Sequence, residues 1–435
     1  MAIYFYKEFG PLGYLANYSN HGFYIDNIYY KTVEHFYQSK KFLDKKLQEK
    51  IINVETPKEA SNIGRDRNNK LRDNWCNIKQ EIMLQGILEK FRQNKDILIK
   101  LLNTGNEDII ENTVDEYYWG CGKDRTGENN FGKLLVKARD ILKNEMYENL
   151  EQLKKYDEIY VIGHNNIDFD SVFSSLVLSK ILKSYNINAN FTILDDYTFS
   201  DENKEIINDY LKEEPIVLNR EEINNKNFIL VDHNDINQSL KNEDCNILFA
   251  IDHHIDCKKI KECYSLEYTS TLLYIYDIFK NIYNFNEMEK ELISLSVITD
   301  SEYLTSTRFK ESDKKLYDEL NIQMDINKLK NKYFKTTDFT NDIDYNVKNN
   351  YKYYNIDNKE INRVILKTYN KDRKYINKYL IRINNLYNNS LFIWNEYDTL
   401  TTLVYYNNKL VKEYNYILAS SVLIIKDLIK ENIIK

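Results

Sequence analysis

The chain has 435 residues, with 60 Lys and Arg against 67 Asp and Glu and a formal charge of −7. At ~150 residues per domain that is room for two or three domains, and 43% hydrophobic with 29% charged residues is the make-up of a soluble globular protein with real cores. The acidic balance excludes a general polyanion binder, though not a local basic pocket for a phosphate.

The first residues, MAIYFYKEFGPLGYLANY, show no basic segment leading into an apolar stretch, so no signal peptide is expected. Residues 1–148 read as a mostly helical α+β domain. A short aromatic strand is expected over Tyr24–Tyr30, helical periodicity over Thr32–Gln48, and a further helix over Asn77–Asn94, where Ile78, Ile82, Leu84, Ile87, Leu88 and Phe91 recur at helical spacing. A Trp- and Gly-rich loop, Tyr117–Gly132, precedes a helix over Lys133–Asn144, and the charged stretch Glu145–Asp157 is expected to be a linker.

After it the texture changes. Apolar runs Ile159–Ile162, Phe228–Val231 and Ile247–Ile251 each end in chemically active residues, and a helix is expected over Ser171–Tyr185. Such alternation predicts a doubly wound α/β domain with a parallel sheet over residues 157–325, with its site at the strand C-termini. Lys328–Tyr353, rich in Asn, Lys and Tyr, reads as a second linker. Residues 350–435, with strand patterns at Arg363–Thr368, Ser390–Trp394 and Thr401–Tyr406, are expected to form a smaller C-terminal α/β domain. No run of ~18 apolar residues occurs, so no membrane partner is expected. Five cysteines without a C-x-x-C pair (Cys76, Cys121, Cys245, Cys257, Cys263) fit a cytoplasmic protein and argue against a zinc ribbon or a disulfide framework.

Four clusters lie where a doubly wound sheet places its chemistry: His164-x3-Asp168-x-Asp170, Asp232-His233-Asn234, Asp252-His253-His254 and Ile298-Thr299-Asp300. A single Asp-His pair is more often a turn cap than a ligand; four together point to metal. Imidazole and carboxylate without thiolate suit manganese or a similar divalent ion better than structural zinc. Two such ions about 3.5–4 Å apart would clamp phosphoryl oxygens for P–O cleavage.

GHNNIDFDS (Gly163–Ser171), LVDHND (Leu230–Asp235), AIDHHID (Ala250–Asp256), TSTLLYIYDIF (Thr269–Phe279) and LSVITDSEYLTSTRFKESD (Leu295–Asp313) resemble the motifs of the DHH phosphoesterases, most closely the manganese-dependent family-II inorganic pyrophosphatases. Ile167 replaces the usual proline of the first motif. The resemblance implies His164 and Asp168 on one metal, Asp170, His253 and Asp300 on the other, and Asp232 bridging. It also implies His254 as phosphate contact or proton donor, with Asp252 orienting a histidine. Two Mn2+ ions are the expected cofactors, with Mg2+ or Co2+ as alternatives. The family's basic Ser-Arg-Lys-Lys-Gln run is replaced here by Ser420–Ile425, and Lys335 is the candidate for another substrate lysine. A nucleotide, phosphodiester or oligophosphate therefore becomes a plausible substrate beside pyrophosphate.

In the first domain, Glu34, Gln38 and Lys41 share one helical face by spacing, and Asp115 and Glu116 precede Tyr118-Trp119-Gly120. Gly127-x-Asn129-x2-Gly132 leads into a helix whose N-terminus is suited to an anion. A carboxylate beside a lysine can perform acid/base or Schiff-base chemistry at a ribosyl carbon, but the spacing alone favours a solvated helix face, and Trp75 and Trp119 are more often core residues than base platforms.

Asn17-Tyr18, VEHFYQSKKF (Val33–Phe42), IGRDRNNKLRDNW (Ile63–Trp75), EKFRQN (Glu89–Asn94), IIENTVDEYYWGCG (Ile109–Gly122) and GENNFGKLLVKAR (Gly127–Arg139) resemble the NADAR family (NAD- and ADP-ribose-associated). That family includes N-glycosidases of riboflavin-pathway intermediates and hydrolases that remove ADP-ribose from guanine. The resemblance implies cleavage of a ribosyl C1–N bond with Glu34 as catalytic carboxylate and Lys41 as candidate Schiff-base amine. Trp75 and Trp119 would shape the pocket, Arg65 and Arg67 would serve phosphates, and Asn17 and Asn129 would meet substrate. The family's usual Asp three residues before Trp-Gly is Glu116 here, beside Asp115, and either is a candidate acid. The expected protein is a bifunctional hydrolase acting on small nucleotide or phosphate substrates. The alternatives are a manganese-dependent pyrophosphatase with an accessory nucleotide-binding domain, or a nucleotide sensor with a degenerate glycosidase. ADP-ribosylated nucleic acid is a less favoured partner, and a homodimer is left open.

Overall fold

The computed structural model describes residues 2–434 apart from 200–202, 242–243, 255–259, 261, 357 and 418–420. Ile255, Asp256, Cys257 and Ser420, singled out in the sequence, lie outside the described residues. The chain forms two compact units, Met1–Lys155 and Tyr156–Lys435.

In the first unit the aromatic strand region is a hairpin, Phe23–Ile25 antiparallel to Ile28–Tyr30. Its turn residues Asp26 and Asn27 both have positive φ (51° and 63°), as a two-residue hairpin loop with the right twist needs. The helical periodicity expected from Thr32 to Gln48 divides into two helices, Val33–Ser39 and Lys45–Asn53. The break falls at Asp44, whose carboxylate accepts the Lys46 and Leu47 N–H groups and starts the second helix. Helices Pro57–Arg65, Trp75–Gln93 and Lys95–Leu102 follow, then a strand, Asp108–Glu111, parallel to Ala2–Phe5. The last helix runs over Asn130–Gln152, so most of the linker expected at Glu145–Asp157 is helical. Arg92 donates to Glu145 across helices at 3.0 Å, and Leu150 is buried, which holds the extra turns in place. Phe23, Phe36, Phe91, Phe131 and Leu135 centre the core.

The second unit holds a six-stranded, all-parallel sheet in the order Cys263–Ser265, Asn246–Asp252, Asn227–Val231, Ile159–Ile162, Ala189–Leu194, Ile216–Leu218. The chain enters at Ile159–Ile162, winds one way through the next two strands in sequence, then returns to its other side at Asn227–Val231. The winding therefore reverses between Ile159–Ile162 and Asn227–Val231, and an open α/β sheet forms its crevice at such a point. Helices Phe169–Ser184, Thr271–Phe279 and Glu287–Asp300 are buried over most of their length.

The stretch expected as a second linker instead contains helices Ile326–Tyr333 and Ile343–Asn349 and the strand Tyr351–Ile356. Tyr333 and Val347 are buried, and the Tyr333 hydroxyl donates to Asp209 at 2.6 Å; tyrosine-rich composition masked an ordered, packed segment. A mixed five-stranded sheet then orders Tyr351–Ile356, Lys359–Thr368, Ser390–Glu396, Thr401–Tyr406 and Lys409–Tyr414. Its faces alternate with period two: Phe392 and Trp394 pack with helix Ile376–Leu386, while Leu391 and Ile393 pack with helix Ser421–Lys430. This sheet belongs to the same compact unit as the parallel one. It is tied to it by Lys367, whose ammonium donates to Glu302 at 2.9 Å. Among the described cysteines, Cys76 and Cys121 carry free thiols and Cys263 is disulfide-bonded. No helix among the described residues is long and apolar enough to cross a membrane.

Candidate functional site

The switch point of the parallel sheet carries a compact set of imidazoles and carboxylates. His164 follows strand Ile159–Ile162 through Gly163, where a Cβ would meet the Ser171 side chain at 2.8 Å and its carbonyl oxygen at 2.9 Å, so only glycine lets strand and helix approach this closely. Asp168 caps helix Phe169–Ser184, with one oxygen on the Ser171 N–H at 3.0 Å and the other 3.3 Å from His164 Nε2. Asp232 follows strand Asn227–Val231 in the left-handed region (φ 60°), with its two oxygens 3.2 Å from His164 Nε2 and 3.3 Å from His253 Nε2. His253 Nδ1–H donates to the Thr269 carbonyl at 3.1 Å, which fixes the tautomer and leaves Nε2 facing the carboxylates. Asp300 ends its helix with an oxygen 3.9 Å from His253 Nε2.

Two ligand sets are thus assembled: His164, Asp168 and Asp232, and Asp170, His253 and Asp300. Their electrostatics test whether cations fit. Burial, then the neighbouring Asp232, pushes the Asp170 carboxyl up to about 7, and burial, then Asp170, pushes Asp300 well above the usual carboxylate range. Burial opposes charge on His164 and His253, yet Asp168 and Asp232 raise the first well above its ordinary value and Asp232 raises the second to about 9. Asp170 and Asp300 are thus pushed toward their protonated forms and both imidazoles toward theirs, while the histidines hold Asp168 and Asp232 ionised, so the cluster gathers protons where other positive charge would serve. A divalent pair fits that demand and the oxygen–imidazole donor set.

The surrounding residues divide differently from their sequence order. His233 is buried between the Val231 carbonyl at 2.8 Å and the Ser239 hydroxyl at 2.7 Å, and packs rather than ligates. Asp252 binds the His254 imidazole at Nδ1 at 2.7 Å and accepts from Asn234 Nδ2 at 2.7 Å, leaving the half-exposed His254 with Nε2 outward. Asn234 escaped the sequence analysis as a positioning residue although it stands within the second cluster. Arg308 escaped it too: its guanidinium donates to Asp300 at 3.2 Å. Lys335, expected at substrate, instead pairs on the surface with Glu205 at 2.9 Å.

The first unit buries an acid in a different manner. Glu34, near the start of helix Val33–Ser39, is 3% exposed. Asn17 Nδ2 donates to one of its oxygens at 2.6 Å and Gln38 Nε2 to the other at 2.7 Å. Burial pushes its carboxyl up, while Gln38, Ser61, Lys41 and Arg65 pull it back. Lys41 lies beyond the helix end rather than on its face, with its ammonium 3.2 Å from the Gly64 carbonyl. Burial lowers it to about 8 against the pull of Glu34. Tyr37 joins the two tryptophans, 5.0 Å from buried Trp75 and edge-on to half-buried Trp119 at 5.7 Å. Arg65 and Arg67 are exposed beside this pocket's helix end.

Three expectations are corrected here. The N-terminus of helix Asn130–Gln152 is not open to an anion, because the Asn129, Asn130 and Phe131 N–H groups already donate to the Gly120, Tyr118 and Trp119 carbonyls. Asn129 is consumed in structure: its amide accepts from Glu111 N–H and donates to the Ile109 carbonyl, both at 2.9 Å. Glu116 accepts the Tyr118 and Trp119 N–H groups at 3.0 and 3.2 Å and so pins the Trp-Gly turn, while Asp115 is exposed.

Each unit thus holds a site built around buried acids, Glu34 in the first and the Asp–His cluster in the second. The NADAR domain matches residues 4–143 and the DHH family, N-terminal domain, matches residues 158–299. A Nostoc punctiforme N-glycosidase is 40% identical over 147 residues, which is 33% of this chain and 94% of that protein. The Escherichia coli N-glycosidase YbiA is 35% identical over 138 residues, 32% of this chain and 86% of that protein. A Methanococcus jannaschii structure provisionally assigned as a family II inorganic pyrophosphatase is 19% identical, with a TM-score of 0.46 over 57% of this chain and 86% of that one; so loose a likeness carries no argument by itself. The chain belongs to the NADAR family through its first unit and carries a DHH domain in its second. It is a hydrolase.

Proposed function

We propose that the chain is a bifunctional hydrolase, an N-glycosidase of ribosyl C1–N bonds joined to a manganese-dependent phosphoesterase. The observation that supports the second activity most is the pair of ligand sets meeting at Asp232 on the switch point of the sheet. His164, Asp168 and Asp232 would hold one cation and Asp170, His253 and Asp300 the other. When bound, the cations supply Lewis-acid charge to phosphoryl oxygens. Oxygen and imidazole donors without thiolate favour manganese. His254, held at Nδ1 by Asp252, presents Nε2 to protonate the departing oxygen, and Asn234 keeps Asp252 in place. Arg308 supplies a cation at Asp300, whereas Lys335 is engaged by Glu205. With few cations for a small, highly charged anion, the favoured substrate is a nucleotide, phosphodiester or oligophosphate rather than pyrophosphate.

In the first unit Glu34 is the catalytic carboxylate and Lys41 the amine, with Trp75, Tyr37 and Trp119 walling the base and ribose pocket. The 40% identity to an N-glycosidase supports this half. The experiment is the full chain, loaded with manganese, assayed for phosphate release on an ester and nucleotide panel and for base release on ribosides. Asp232→Ala should remove only the first and Glu34→Gln only the second. Loss of both in either variant, or activity in neither assay for the wild type, overturns the two-site reading.

A further inference from the structure

With Asp115 exposed and Glu116 spent on the Trp-Gly turn, the first unit has no free acid among the residues its sequence nominated. A third carboxylate is available. Glu111 ends strand Asp108–Glu111, and three backbone bonds clamp it: its N–H donates to Asn129, and its carbonyl accepts the Thr113 and Cys121 N–H groups at 3.0 and 2.9 Å. The side chain is the opposite of clamped. Its Oε2 is buried with no partner in good hydrogen-bonding geometry, the neighbouring Thr113 hydroxyl being the one group close enough to favour its anion. A native fold rarely leaves a buried carboxylate oxygen held so loosely unless something else comes to it.

We propose that Glu111 is the proton donor to the departing base in the first unit, an assignment that rests on the glycosidase reading of that unit. The contrast with Glu34 carries it. Glu34 accepts amide N–H groups on both oxygens and has Lys41 and Arg65 in its field, a setting for the carboxylate anion. Glu111 has no donor in good geometry on Oε2, and burial, followed by Glu116 and Glu34, pushes it up to about 7, with Thr113 alone pulling the other way. Two carboxyl groups whose surroundings drive them apart divide naturally into an acid and a base. As the C1–N bond breaks, its electron pair stays on the base nitrogen, which takes the Glu111 proton. Glu34 takes a proton from the Lys41 amine as its nitrogen bonds to C1, water then hydrolyses the resulting sugar imine to regenerate the amine, and one proton returns from Glu34 to Glu111 through solvent. Riboside and water become free sugar and free base.

The test uses the full chain and two substrates, a phosphoribosylamino-pyrimidine and para-nitrophenyl ribofuranoside phosphate, whose nitrophenolate leaves without a proton. Glu111→Gln should lose ~10²-fold or more in kcat on the N-riboside and only a few-fold on the nitrophenyl substrate. Glu111→Asp, which keeps the acid, should regain much of the N-riboside rate, and Glu34→Gln should lose both substrates. Equal losses on the two substrates in Glu111→Gln, with Glu34→Gln still inactive, overturn the role of Glu111 and leave the glycosidase reading standing. A wild-type chain that cleaves neither substrate overturns that reading and this assignment with it.

Discussion

The two units solve the burial of carboxylates in opposite ways. Around Glu34 the first unit places neutral amides, from Asn17 and Gln38, so that buried acid is satisfied by hydrogen bonds. The second unit crowds Asp168, Asp170, Asp232 and Asp300 around two imidazoles, so each acid worsens the burden on the next. An amide-cradled acid needs no external cation. A carboxylate cluster needs external positive charge, and that need is the mark of a metal centre.

Breaking the comparison should therefore affect one unit at a time. The largest effect is expected for Asp232→Asn or for chelation: phosphate release falls to background and bound metal drops in elemental analysis, while base release continues. Glu34→Gln comes next and runs the other way, with base release down ~10²–10⁴-fold and phosphate release and metal content unchanged. Asp252→Asn, which frees the His254 ring without touching the ligand sets, should cost ~10–100-fold in phosphate release with metal content largely retained. A sharper probe of the first unit is the pH dependence of Lys41. Its ammonium is lowered to about 8, so the nucleophilic amine grows as pH rises through that value. Borohydride trapping of a sugar imine should increase about tenfold between about pH 7 and about pH 9, then level off. The smallest effect is expected at Lys335→Ala: an exposed pair with Glu205 is worth ~0–1 kcal/mol, so melting and turnover should barely move. A large loss of turnover there would return Lys335 to the substrate.

Much of this was legible in the residues. The apolar runs that end at Gly163, Asp232 and Asp252 lie on or at the ends of strands of the parallel sheet, because short β-branched runs closed by polar residues have few other uses. All six expected ligands converge, since the doubly wound topology brings strand ends together whatever their separation in sequence. Other features resisted. The helix Asn130–Gln152 outran its expected end because charged residues on its surface, such as Glu145, found a partner in Arg92 on another helix. The segment around Tyr333 and Val347 read as linker because its anchors are isolated large side chains rather than a periodic stripe. Asn129 was assigned to substrate and Glu116 to acid catalysis by position in a motif, but a motif records which residue stands somewhere and not which hydrogen bonds occupy it.

By itself the sequence settled the kinds of chemistry present: which acids, imidazoles and amines exist, and that they fall beside strand ends and in a Trp-Gly loop, since local pattern is written residue by residue. Only the tertiary structure decided which groups are free to act. Glu116 is spent on two backbone N–H groups, Lys335 on Glu205 and His233 on Val231 and Ser239, while Glu111 is left with a loosely held buried oxygen. Whether a polar group is engaged depends on partners brought to it by the fold, and burial then multiplies the consequence of having one or lacking it.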